Sequence, residues 1–133
     1  MVLRKDHPVM ADAVLSIESF AALSHLDVSS LHDDTDFVDQ ALSRRKLTRR
    51  IGLRAPFLSA VRILAASDMV SIFRRHIAEE LVRYRPLAIR PLPHASPIVE
   101  TAMLWHRRLD HQPAHRWLRE VVRDLCKTNP SYL

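Results

Sequence analysis

Thr101–Val122 reads TAMLWHRRLDHQPAHRWLREVV. Its first part, Ala102 to Arg107, is an apolar run closing in a basic tail, and Met103 and Trp105 alternate as in a strand. Asp110 and the polar turn after it stop that run. Pro113 stands where a helix tolerates proline, at its first position, because the missing N–H has no partner to lose there. From there Ala114, Trp117, Leu118, Val121, Val122 and Leu125 recur at helical spacing, with Arg116, Arg119, Glu120, Arg123 and Asp124 between them. The spacing predicts a strand, a tight turn and an amphipathic helix made to lie on an apolar surface.

The segment MLWHRRLDHQPAHRWLRE, Met103 to Glu120, resembles the C-terminal end of the effector-binding domain of LysR-type transcriptional regulators. There an apolar strand ends in a WH.R pattern, followed by D.PAH.WLR and a closing helix. VLRKDHP, Val2 to Pro8, resembles the strand and HP turn near the middle of that domain. FVDQALSRRKLTRRIGLRAPFLSAVRILAASDMVSIF, Phe37 to Phe73, resembles the helix, strand, helix and strand that follow. The resemblance spans nearly the whole chain in the family's order. The family's winged helix-turn-helix, its linker helix and the first part of the effector domain have no counterpart in these residues.

The resemblance implies a type 2 periplasmic-binding-protein fold, with two lobes around a cleft. By that reading residues 2–92 are the second lobe, 93–100 a crossing segment, and 101–133 the returning strand and helix of the first lobe. It also implies a sensor and not an enzyme: a small effector binds in the cleft, and the preferred lobe arrangement is relayed through subunit packing to DNA-binding helices. Such a chain pairs as a homodimer or higher oligomer and makes no sequence-specific DNA contact of its own. It also exposes apolar surface where the first lobe packs.

At 133 residues the chain is one domain with room for a single core. No stretch approaches a membrane span, and the start MVLRKDHPVMADAV has no uninterrupted apolar core of a secretory signal. Cys126 is the single cysteine, so no intrachain disulfide forms, in keeping with a reducing cytoplasm. The net charge of +5 comes mostly from arginine and favours loose association with nucleic acid or acidic surfaces. Gly52 is the one glycine, which excludes the glycine-rich phosphate loops of nucleotide-binding folds.

In order, Val2 to Asp6 reads as a strand ended by Pro8, and Ser16 as the N-cap of a helix through Leu23. His25 to Ser29 is a second strand, and Phe37, Val38, Ala41 and Leu42 give the apolar face of a helix to about Arg45. Ile51, Leu53 and Ala55 alternate as a third strand, which Pro56 breaks before a nearly all-apolar, well-buried helix from Phe57 to Ala66. Met69 to Phe73 is a fourth strand, Ile77 to Val82 a helix, and Leu87 to Leu92 a fifth strand. Alternating strands and helices predict an α/β layer structure with a mixed, largely parallel sheet.

Ser29 and Ser30 join a strand's C-terminal end to a helix start, where ligands of open α/β sheets gather. Capping by Asp33 or Asp34 explains the same residue types. Ala55, Pro56, Phe57 and Leu58 lie at a second such junction, which by resemblance lines the effector cleft. An aromatic there suits a small aromatic or apolar effector, although core packing of Phe57 is the plain alternative. Ser67 and Asp68, by resemblance, form a polar turn near the cleft, before Ile72-Phe73 stands where the family usually has Leu-Pro.

No cofactor or catalytic group is expected. His111 and His115 stand four apart, but Pro113 starts the helix between them, so the spacing is not that of a metal pair. Arg44, Arg45, Lys46, Arg49 and Arg50 form the densest basic run, read either as a solvated helix end or as a phosphate contact. Three rival readings stay open: a basic nucleic-acid-associating protein, a truncated gene product without activity, and a transport protein of the same fold.

Overall fold

The computed structural model of the chain describes residues 1–28, 36–98 and 102–128. These divide into two compact units, Met1–Pro97 and Ile98–Leu133.

In the first unit the elements are β1 (Val2–Arg4), α1 (Ile17–Ala22), β2 (Ser24–Val28), α2 (Asp36–Ser43), β3 (Arg50–Ala55), α3 (Phe57–Ala65), β4 (Met69–Val70), α4 (Arg75–Tyr84) and β5 (Leu87–Ile89). β2 is the centre of a three-stranded parallel sheet in the order β3-β2-β4. β1 pairs antiparallel with β5, Val2 opposite Ile89. An antiparallel bridge from Val2 to Ser71 ties this ribbon to the outer side of β4, with backbone bonds of 2.7 and 3.0 Å. The Ser71 hydroxyl donates to Leu26 C=O at 2.8 Å, so one residue joins both sheets.

Local chemistry sets the helix ends. Ser16 caps α1, its Oγ accepting from Ser19 N–H at 3.0 Å. α2 closes in a Schellman turn: Leu47 N–H donates to Leu42 C=O at 3.0 Å and Lys46 N–H to Ser43 C=O at 2.9 Å. Lys46 occupies the left-handed position there, at φ 58°. His7 starts a short 3-10 turn, Pro8–Ala11, with Nδ1 accepting from Val9 N–H at 3.0 Å and Nε2–H donating to Asp68 C=O at 3.1 Å. The buried Arg90 guanidinium holds that turn from the far end of the unit, donating to the carbonyls of Val9 and Asp12.

Two apolar clusters flank the strands. Leu3, Val9, Ile17, Phe20, Val38, Leu42 and Val70 form one; Val2, Leu26, Val28, Ala60, Val61, Leu64 and Leu87 form the other. His94, in the proline-bearing segment after β5, sets its ring edge-to-face against Phe20 and Phe37, both at 5.8 Å. Gly52 is the extra residue of a bulge: His25 pairs with Ile51, and Leu26 already with Leu53. A Cβ at Gly52 would stand 2.3 Å from Ser24 Oγ, so the close approach of that hydroxyl, not backbone freedom, requires glycine.

The second unit holds a 3-10 turn at Arg107–Leu109 and α5 (Pro113–Thr128), with Pro113 at its first position. Ala102 to Arg107, expected as a strand, has no ladder: residues 102–106 have no strand pairing and Arg107 starts the turn. Alternating apolar residues make a strand only where another backbone supplies hydrogen bonds, and this unit offers none among the described residues. Arg119 is the buried residue of α5. Its guanidinium donates to the carbonyls of Leu109 and Asp110 at 3.3 and 3.1 Å and lies 4.5 Å from the centre of the Trp105 ring. The predicted apolar stripe is present, but Trp117, Leu118, Val122 and Leu125 are exposed.

Three further differences are local. β4 is shorter than Met69 to Phe73, and β5 is shorter than Leu87 to Leu92 and runs antiparallel to β1. α3 buries one face, through Ala60, Val61 and Leu64, and not most of its surface.

Candidate functional site

The C-terminal ends of parallel strands gather the starts of the following helices on one edge. Val28, the last residue of β2, sits beside Ala55, the last of β3, and both are buried. α3 begins at once: Pro56 is its N-cap in an extended conformation (φ −61°, ψ 152°), and no side chain caps the first turn. The N–H groups of Phe57, Leu58 and Ser59 therefore meet whatever lies at this edge. Phe57 is half-buried against the second apolar cluster, whereas Leu58 is 82 % exposed.

The chain after β4 reaches the same edge. The Phe73 ring meets Phe57 edge-on, at 5.9 Å and 89°. Arg74 then caps α4 with no side-chain bond to the first turn, and Arg75 is an exposed cation 4.0 Å from Glu79. The result is an apolar plate of Phe57, Phe73 and Leu58, bordered by two helix N-termini and an arginine. Donors and positive potential around an apolar surface suit a small, flat molecule carrying an acceptor group. At the same end of the sheet the Asp27 carboxylate, buried, accepts from Arg54 Nε at 3.0 Å.

Of the residues singled out in the sequence, Ala55, Pro56, Phe57 and Leu58 come together on this edge. Ser67 and Asp68 do not join them. They precede β4, whose Met69 pairs with Ser24, the first residue of β2, so they lie at the sheet's opposite end. Both have structural partners: Ser67 Oγ donates to Ile63 C=O at 2.7 Å, and Asp68 accepts from Arg4 Nε at 2.7 Å. Ser29, Ser30, Asp33 and Asp34 lie outside the described residues. Phe73, not singled out in the sequence, stands on the same edge beside Phe57; the Ile72-Phe73 pair in place of Leu-Pro is its only mark there.

His115 Nδ1 accepts from the Arg119 guanidinium at 3.0 Å, and His111 is exposed before the helix. Among the described residues no three histidine, cysteine or acidic side chains converge to hold a metal ion, and no helix is long and apolar enough to cross a membrane.

The architecture is that of regulatory domains of transcription regulators, with a periplasmic-binding-protein-like fold. The regulatory domain of MexT, a transcriptional activator in Pseudomonas aeruginosa, superimposes with a TM-score of 0.78 at 29 % identity, over 91 % of this chain and 60 % of that one. A putative transcriptional regulator from Vibrio parahaemolyticus gives 0.80 at 27 % identity, over 96 % of this chain and 59 % of that one.

Residues 1–127 match the LysR substrate binding domain, and the chain belongs to that family. It is 34 % identical to the HTH-type transcriptional regulator SyrM of Rhizobium meliloti (strain 1021) and 29 % identical to the HTH-type transcriptional activator NagR of a Ralstonia species. It covers 39 % and 41 % of those proteins, in their C-terminal part. The family is one of transcriptional regulators, not enzymes.

Proposed function

We propose that this chain is the effector-sensing part of a LysR-type regulator and binds a small aromatic or apolar effector on the edge formed by Ala55–Leu58 and Phe73. The observation that carries this reading is the apolar plate of Phe57, Phe73 and exposed Leu58 beside the first turns of α3 and α4, which no side chain caps. The effector's ring lies on the plate and its acceptor group takes the free N–H groups of α3. In this reading residues 2–92 are the second lobe, 93–100 the crossing segment, and α5 belongs to the first lobe of a cytoplasmic regulator. The exposed stripe of α5 supports pairing into a homodimer, which sedimentation over a concentration series checks.

Amide-resolved NMR with benzoate, 1-naphthoate and indole as probes tests the site. Shifts at Phe57, Leu58 and Ser59 are expected, and their loss in Leu58→Glu, a substitution at an exposed position that leaves the core alone. Probes that move no amide on this edge, or move them equally in Leu58→Glu, overturn the assignment.

A further inference from the structure

The parallel sheet has an opposite edge with different chemistry. α2 returns the chain from the C-terminal end of β2 to the start of β3, so residues 44–50 lie where β3 begins. One of their cations is used internally: Arg49 donates from both guanidinium branches to Asp39, at 2.7 and 2.9 Å, and its side chain is 5 % exposed. Arg44, Arg45, Lys46 and Arg50 are exposed, and among the described residues none has an acidic partner.

A solvated helix end does not account for this cluster. The α2 dipole favours cations within its last turn, but Lys46 lies beyond the helix and Arg50 is already in β3. The turn is also fixed, by its two closing hydrogen bonds and by Leu47, which packs beside Leu42 on the first apolar cluster. Within it, Lys46 stands at φ 58°, a conformation that costs an L-residue about 1–2 kcal/mol and in which glycine is the usual choice. The fold holds a cation at a position where backbone energy alone selects glycine. Of the two acids on α2, Asp36 and Asp39, the one nearer the cluster, Asp39, is already engaged by Arg49.

We propose that Arg44, Arg45, Lys46 and Arg50 form a docking surface for the phosphate backbone of duplex nucleic acid, blind to base sequence. Three of the four are arginines, whose planar fork matches phosphate oxygens in pairs. No aromatic residue interleaves them, so exposed bases find nothing to stack on, which selects an intact duplex over a single strand. No helix presents the cluster to a groove, so it contacts phosphates and not base edges. The surface lies at the opposite end of the strands from the effector edge, and its failure leaves the effector reading untouched.

The test is anisotropy of a short, labelled, random-sequence duplex titrated with the whole chain over a range of salt. Four cations meeting three or four phosphates give a slope of log K against log salt near about −3. Joint replacement, Arg44→Gln, Arg45→Gln, Lys46→Gly and Arg50→Gln, flattens the slope and weakens low-salt binding about tenfold or more. Lys46→Gly keeps the turn, and Arg45→Gln alone, expected to reduce the slope by about 0.9, reads the effect without any burden on folding. A control removes equal charge elsewhere: Arg107→Gln, Arg108→Gln, Arg116→Gln and Arg123→Gln. If the control weakens binding as much, net charge alone is responsible and the proposal falls. It falls equally if polyglutamate binds the chain with the same dependence on these residues, since the surface then serves acidic proteins.

Discussion

Replacing Lys46 by glycine separates two forces that act at one position. The Lys46 backbone is left-handed at φ 58°, and two hydrogen bonds of the Schellman turn hold it there. Removing Cβ relieves about 1–2 kcal/mol of steric cost. The extra freedom of glycine in the unfolded chain returns about 0.5–1 kcal/mol of that. The net expectation is a gain of about 0.5–1 kcal/mol, seen as a rise of about 2–8 °C in Tm for a domain of this size. Urea denaturation gives the free energy directly, with an unchanged m-value. Lys46→Ala is the decisive companion. It removes the same charge from beside Arg44, Arg45 and Arg50 but keeps Cβ, so its stability should stay within about 0.5 kcal/mol of the parent. If Lys46→Ala gains as much as Lys46→Gly, relief of charge repulsion is the cause and the strain argument is wrong.

Two further expectations follow from buried contacts. Gly52→Ala drives a methyl to 2.3 Å from Ser24 Oγ and 3.1 Å from Met69 Cε, and should cost about 1–2 kcal/mol. In a Ser24→Ala background most of that cost should vanish in a double-mutant cycle; additive costs would mean that the bulge, not the hydroxyl, demands glycine. His25 is fully buried, with Nε2–H donating to Phe20 C=O at 3.0 Å and Nδ1 without a partner among the described residues. Burial, aided by the charge of Arg49, lowers its pKa below the ordinary 6.5, against the opposing pull of the Phe20 carbonyl and Asp39. Below pH 6.5 the unfolded chain therefore binds a proton that the native state refuses, and stability falls as pH drops until the folded pKa is passed. The loss approaches at most about 1.4 kcal/mol per pH unit for one such group. Denaturation at pH 7.5 and 5.5 should show a smaller loss for His25→Asn than for the parent, and equal losses would clear His25 of the effect.

Element ends were legible where one residue's chemistry decides them. Ser16 and Pro113 stand at the starts predicted for them, and Pro56 divides β3 from α3. What needs a distant partner was not. Met103 and Trp105 alternate as a strand does, yet no described residue of the second unit pairs with them, and Trp105 instead lies under Arg119. Arg119 itself read as part of a solvated face, because a guanidinium buried by backbone carbonyls leaves no mark in hydrophobic spacing. At the candidate site, the β3–α3 junction is legible because a strand end followed by proline is a local pattern. That Ser67 and Asp68 stand at the other end of the sheet from Ala55–Leu58 is not legible locally, since it depends on the register of β4 against Ser24. Lys46 gave no signal, because a left-handed turn announces itself only through glycine or asparagine.

The pairing of β1 with β5 has a consequence for the order in which the chain takes shape. Among the described residues Val2 finds its strand partners at Ile89 and Ser71, and the Met1 amino group bonds the carbonyl of Arg90, 89 positions away. During synthesis β1 therefore leaves the ribosome long before either partner exists. Val2 and Leu3, which end fully buried in separate apolar clusters, cannot complete their ladder until β5 emerges. The α2–β3–α3 stretch closes through nearer contacts in the meantime, so β1, although made before β2 and β3, is placed after them. That interval is when the nascent chain is most exposed to chaperone capture or to pairing with a neighbouring copy.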